Sequence, residues 1–242
     1  MRKSVSLISA LVITLVFANF YFTLENDENS QLEPVLISRV IDGDTLESSE
    51  GIILRLVNIN TPEKNQPNSN LSRNYLLSLN KEMMADYMGI DKYGRQLARL
   101  YSDGYINLKM VELGYSSKFL VQDDEKSLFA KAEAEAVKSG LGIWEHSDYY
   151  GCFSTEIDKK NEVVEFIVKC PVSMDGWFVK DESRKRFIFN NFTSGSYFIL
   201  NSGNGINSEN TLYWNSESVW NDDSDALYLF DHEWKIAHYE SY

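Results

Sequence analysis

IDGDTLESSEGIILRLVNINTPE, residues 41–63, is the stretch whose reading decides the fold of this chain. Apolar runs on either side of it have strand length and strand alternation: Val35–Ile41, Thr45–Glu47 and Ile52–Ile59, with Ser48–Gly51 as the turn between the last two. Between the first two runs sits Asp42-Gly43-Asp44. Asp-Gly is a common turn pair. Two carboxylates around a glycine are also what a hard cation needs, since calcium takes several oxygen ligands at close range. Arg55 alternates with Leu54 and Leu56 and so points to the opposite face of its strand, where a guanidinium among apolar residues is costly unless it meets an anion. Asn60, Thr61 and Glu63 follow the strand end, where side-chain oxygens and carbonyls converge, and Pro62 stiffens the bend.

Outward from this stretch, Asp91-Lys92-Tyr93-Gly94-Arg95 gives a turn that leads a second arginine into a strand, Arg95–Tyr101, ended by Asp103-Gly104. Two helices follow. Ile106–Leu113 stops at Gly114, and Asp124–Ser139 carries Phe129, Ala132 and Ala136 on one face and stops at Gly140. Strands first and helices after imply a small barrel with helices packed on it.

These motifs, in this order, resemble the staphylococcal-nuclease-like (thermonuclease) family: IDGDT at 41–45, RLVNINTPE at 55–63, DKYGR at 91–95, INLKMVELGY at 106–115 and AEAEAVKSGLGIW at 132–144. The resemblance covers most of residues 35–146 and implies an OB-fold five-stranded β-barrel with three helices. It also implies hydrolysis of phosphodiester bonds in DNA, with RNA a second candidate, using calcium. By resemblance, Asp44 is the main calcium ligand, Asn60 a side-chain ligand and Thr61 a backbone-carbonyl ligand. Arg55 and Arg95 hold the phosphate, and Glu63 is the general base. Asn60 departs from the family, whose best-studied member has an aspartate there. An amide oxygen still binds calcium but removes one negative charge, which implies weaker affinity. The stretch between Glu63 and Asp91 is short for the family, which implies a trimmed first helix and neighbouring loop.

Composition fits this reading. The chain has 242 residues, 43% hydrophobic and 13% aromatic, enough for two small packed domains. A formal net charge of −13 excludes nucleic-acid binding through a diffuse positive field, so contact with a polyanion needs a local cationic site. The charge is uneven: roughly −3 over residues 35–146 and roughly −8 over 147–242, which favours the first region for that contact.

Arg2 and Lys3 precede an apolar run from Val5 to Phe22, followed by an acidic, aperiodic stretch from Glu25 to Glu33. This is the layout of a signal peptide or a single membrane anchor (residues 1–23) with a linker (24–33), and it implies a secreted protein or one anchored to the outer face of the cell membrane. Cys152 and Cys170 are either two buried thiols or a disulfide worth roughly 3 kcal/mol, and the export-like start favours the disulfide.

The barrel domain is assigned to residues 34–148. Residues 149–242 alternate short apolar-aromatic runs with turns: Val163–Val168, Trp177–Val179, Arg186–Phe189, Tyr197–Leu200, Leu212–Trp214, Ala226–Phe230 and Trp234–Tyr239. This pattern implies an all-β sandwich. VEFIVKCPVSMDGWFVKD at 164–181 and VWNDDSDALYLFDHEWKIAHYESY at 219–242 resemble the lamin-tail domain, which implies an immunoglobulin-like sandwich binding an unidentified partner or surface. Asp222, Asp223 and Asp225 read as a solvated turn, with a cation site as the alternative, and His146, His232 and His238 read as ordinary surface or core histidines. The competing reading of the whole chain is a noncatalytic nucleic-acid- or surface-binding protein that uses both domains as scaffolds.

Overall fold

The computed structural model describes residues 32–242 except Arg184 and Glu217. The signal or anchor segment lies outside the described residues, as does most of the linker. Among the described residues no helix is long and apolar enough to cross a membrane.

The first half is a closed barrel. Strands β1 (Glu33–Val40), β2 (Thr45–Ser48) and β3 (Ile53–Leu56) form an antiparallel meander. β5 (Glu82–Ile90) pairs with β1 and with β6 (Gln96–Ser102). Parallel pairing of β3 with β6, Arg55 opposite Leu97, closes the ring at five strands. Leu46, Leu54, Leu56, Ala85, Ala98 and Leu100 fill it, all fully buried. The expected single strand Ile52–Ile59 is interrupted. Asn58 turns the chain with φ of 66°, so β3 ends at Leu56 and a two-residue β4 (Ile59–Asn60) pairs instead with β8 (Ser117–Lys118). Asparagine tolerates the left-handed region that a β-branched residue resists, so the break falls where an asparagine interrupts the apolar run.

Between β4 and β5 lies α1 (Ser69–Ser78), so the order is not strands first and helices after, and the short stretch 64–90 retains a ten-residue helix. α2 (Ile106–Glu112) and α3 (Lys126–Lys138) follow the two-residue strand β7 (Gly104–Tyr105) and flank β8. Gly114 and Gly142 bring two chain segments into backbone contact. A Cβ on Gly142 would stand 2.1 Å from the Gly114 carbonyl oxygen, and one on Gly114 would stand 2.2 Å from that of Leu141. The Ile143 N–H donates to Gly114 O at 2.8 Å. This lock fixes the 3-10 turn Gly142–Trp144 against the end of α2.

The second half holds two four-stranded sheets. One has the order β14 (Thr211–Tyr213), β13 (Tyr197–Asn201), β10 (Val163–Val168), β9 (Phe153–Asp158). The other runs β12 (Arg186–Ile188), β11 (Phe178–Lys180), β15 (Ala226–Phe230), β16 (Ile236–Ser241). Alternate residues of both sheets, among them Phe166, Phe198, Val179, Leu227 and Leu229, share one buried cluster with Trp177. Cys152 and Cys170 are disulfide-bonded, with Cα atoms 5.4 Å apart. β9 was not expected, and the last strand starts at Ile236 rather than Trp234, because Asp231–Trp234 forms a turn capped by the Asp231 carboxylate.

The halves pack on each other. Trp144 stacks on Tyr228 with ring centroids 5.2 Å apart, within a cluster that also holds Val137, Phe178 and Ile236. Beside it, the Glu133 carboxylate of α3 is fully buried. It accepts from the Lys118 N–H (2.8 Å) and from the hydroxyls of Tyr228 (2.9 Å) and Tyr239 (3.1 Å). Burial pushes the Glu133 carboxyl upward, and Lys118, the Tyr228 hydroxyl and the charge of Lys180 oppose that push.

Gly142→Ala is expected to cost roughly 2–4 kcal/mol, since its φ is 57° and backbone blocks the added methyl. Gly203→Ala, in open space, is expected to stay within about 0.5 kcal/mol of the parent. Urea denaturation of both variants checks this, and equal midpoints would count against the lock.

Candidate active site

The site begins at the β1–β2 turn. The Asp44 N–H donates to Asp42 Oδ1 at 3.1 Å, which coils the turn so that Asp44, 5% exposed, faces inward. Gly43 has no room for a side chain: a Cβ there would lie 2.6 Å from Thr61 Oγ1 and 2.8 Å from the Ser72 Cβ of α1. The glycine therefore serves close approach of the turn to the segment after β4, rather than a hairpin alone.

Asp44 Oδ2 is the centre of the cluster. It accepts from the Thr61 N–H (3.2 Å) and hydroxyl (3.1 Å) and pairs with Arg55 Nη2 at 3.2 Å, while Thr45 Oγ1 donates to Oδ1. Arg55 also donates to the carbonyls of Leu56 and Ile59. The guanidinium within an apolar strand thus meets its anion, as its cost in isolation requires. Burial nonetheless pushes the Asp44 carboxyl upward. Arg55 pulls against this, Asp42 adds to it, and the two Thr61 bonds oppose it without cancelling it.

The other expected residues stand around this cluster. Asn60 precedes Thr61 and is held through its carbonyl by the Ser117 hydroxyl at 3.3 Å. Glu63 is exposed, and its N–H donates to Gln66 Oε1 at 2.9 Å, which shapes the bend. Asn60, Thr61 and Glu63 line one cavity of about 150 Å³. Arg95 enters β6 two residues before Leu97, the partner of Arg55 across the barrel seam. Its side chain is bound by Asp91 at 2.7 Å and lies over the Tyr93 ring at 5.5 Å. Direct bonds join Asp44, Arg55 and Thr61; Asn60 and Glu63 adjoin them through the chain and the cavity, whereas Arg95 is bonded to Asp91 and lies two residues before the strand partner of Arg55.

Among the described residues no group of three or more His, Cys, Asp or Glu side chains is placed to hold a metal ion. Of the expected oxygen set, Asp44 and Thr61 are bonded to each other and Asn60 precedes Thr61 in the chain. A dehydrated carboxylate whose charge Arg55 does not fully offset fits a hard cation, and a set with one carboxylate fits weak binding. Asp222, Asp223 and Asp225 do not form a shared site in this arrangement. Asp225 is buried and accepts from the backbone of Asn221 and Ala226, and the Asp222 carbonyl accepts from Lys159.

Sequence reasoning missed the far wall of the cavity. It is built by the second half, including Phe178, Lys180, Arg186, Phe230 and Trp234. Nothing in the local sequence links those positions to residue 63.

The staphylococcal nuclease homologue profile matches residues 53–146. The thermonuclease of Staphylococcus intermedius is 33% identical over 129 residues, which span 47% of this chain and 77% of that protein. This chain belongs to that family. An uncharacterized endonuclease of Escherichia coli O157:H7 is 34% identical over 119 residues (46% of this chain, 77% of its own length). Succinoglycan biosynthesis protein ExoI of Rhizobium meliloti strain 1021 is 28% identical over 136 residues, 50% of this chain and 70% of that protein. The family match contains Arg55, Asn60, Thr61, Glu63 and Arg95, and the closed five-strand barrel fits the OB-fold of the staphylococcal nuclease homologues.

Gly43→Ala is expected to cost roughly 1–3 kcal/mol, because Thr61 and Ser72 must both give way. A variant with the parent's urea midpoint would contradict the tight seating of the turn on Thr61.

Proposed function

We propose that this chain is a nuclease that hydrolyses phosphodiester bonds in DNA, with RNA as a second substrate, and takes calcium as its cofactor. The observation that carries this reading is the buried Asp44 carboxylate, bonded to Thr61 and Arg55 beside the cavity that Glu63 lines. The match to a thermonuclease and to an endonuclease supports it.

Asp44, Asn60 and Thr61 would hold the cation, which when bound neutralises part of the phosphate charge. Arg55 would offer guanidinium donors to a phosphate oxygen. Arg95 is a second planar donor set at the same seam, and such donors matter most as charge builds on the phosphoryl oxygens. Glu63 accepts the proton of the attacking water. The water oxygen forms the new bond to phosphorus, the ester P–O bond breaks, and the leaving oxygen takes up a proton.

We place the protein outside the cytoplasm, secreted or anchored to the membrane's outer face. The Cys152–Cys170 disulfide supports this, since such bonds persist in oxidising compartments. The two-sheet second half is our candidate for an immunoglobulin-like, lamin-tail domain.

The purified protein is expected to degrade DNA in calcium and to stop in a chelator. Arg55→Ala, Glu63→Ala and Arg95→Ala are each expected to lower turnover by at least about 100-fold. Unchanged rates in all three folded variants would reject the site, and no cleavage by the parent at any calcium level would favour a noncatalytic scaffold. Asn60→Asp restores a negative charge and is expected to tighten calcium binding about tenfold; equal or weaker affinity in a titration would contradict the role of Asn60.

A further inference from the structure

The cavity beside Glu63 is closed by the second half, and its far wall is unlike the rest of that acidic region. Arg186 of β12 lies over the Trp234 ring at 4.6 Å and over Phe178 at 5.2 Å. Phe178 and Trp234 themselves pack edge to face at 4.8 Å. Among the described residues Arg186 and Lys180 have no carboxylate within ion-pair distance, although the chain carries a net charge of −13. The two cations also repel each other. Burial pulls the Lys180 ammonium down to about 8; the carboxylates of Glu133, Asp181 and Asp225 oppose that pull, and the positive charge of Arg186 adds to it. Trp234 holds a left-handed backbone, φ 66°, which is costly for a bulky residue and clusters at functional positions. Arg186, over an apolar floor and without a carboxylate in ion-pair contact, makes with Lys180 behind it a site that an anion carrying a flat ring would complete.

We propose that the second half contributes a nucleotide subsite to the active centre: Arg186 and Lys180 bind a phosphate flanking the scissile one, and the rings of Phe178 and Trp234 form the wall against which its base packs. The inference rests on the nuclease reading, because continuity with Thr61 and Glu63 is what makes a nucleotide the occupant. Guanidinium donors suit phosphate oxygens, and aromatic walls accept any base without hydrogen-bond readout. The acidic chain thereby gains local cations from both halves at one place. The buried contact of Trp144 with Tyr228 and the Glu133 bonds to Tyr228 and Tyr239 hold the wall in position.

The test is the affinity of the full-length chain for a fluorescent single-stranded oligonucleotide, read by anisotropy with Glu63→Gln in the background so that binding is measured without turnover. Arg186→Ala and Trp234→Ala are each expected to weaken binding about tenfold, and Arg186→Lys and Trp234→Phe, which keep charge or ring, by less. Circular dichroism and melting of each variant check the fold. If the alanine variants misfold, the conservative pair decides alone, with a loss of about threefold expected. Parent-like affinity in the folded Arg186 and Trp234 variants, with binding lost in Arg55→Ala, would overturn the subsite and leave the nuclease reading standing. No binding by the parent background would overturn both.

Discussion

A carboxylate withdrawn from water must be compensated by its surroundings, and Asp44 is where this protein meets that demand incompletely. One oxygen collects the Thr61 amide and hydroxyl and the Arg55 guanidinium, yet burial and the neighbouring Asp42 still disfavour its charge. That imbalance organises the rest. It requires Gly43, so that the turn can seat on Thr61, and it requires Arg55 within a strand that would otherwise reject it. It leaves a buried carboxylate whose charge is not fully offset, bonded to Thr61 on the wall of the cavity.

Position matters as much as charge, and it is set by the barrel. Strand β3 delivers Arg55, whose partner in the parallel strand β6 is Leu97, so Arg95 stands two residues before that partner although it is 40 positions from Arg55 in sequence. The break at Asn58 turns Asn60, Thr61 and Glu63 away from β3 and toward β8, which makes the cavity rim. The second half is not an appendage to this arrangement. Trp144 and Glu133 reach from the helical end of the barrel into the sheet of Tyr228, and the same sheet closes the cavity.

Much of the barrel half was legible in the sequence because its signals are local. Alternating apolar runs marked β1, β2 and β6, glycines marked the helix ends, and Arg55 betrayed an anion by its own cost. What escaped was set by tertiary context. β5 is written EMMADYMGI, poor in β-branched residues, and forms because β1 and β6 both pair with it. α1 is rich in serine and asparagine, weak helix formers, and is held by Leu76 in the core and by the Ser72 hydroxyl on Tyr115 O. The apolar run through Ile59 hid the Asn58 break, since periodicity does not report a turn inside a continuous run. Gly43 read as a turn residue, whereas its reason is a contact with residues 61 and 72. The far wall of the cavity was invisible, because only folding brings residues 178–234 beside residue 63.

The central claim is that the buried Asp44 carboxylate creates the cation site, and calorimetric titration of calcium into the metal-free protein tests it most directly. One calcium ion per chain is the expected result for the parent, with binding abolished in a folded Asp44→Asn variant. Calcium binding of the same strength in that variant, or none in the parent, would contradict it.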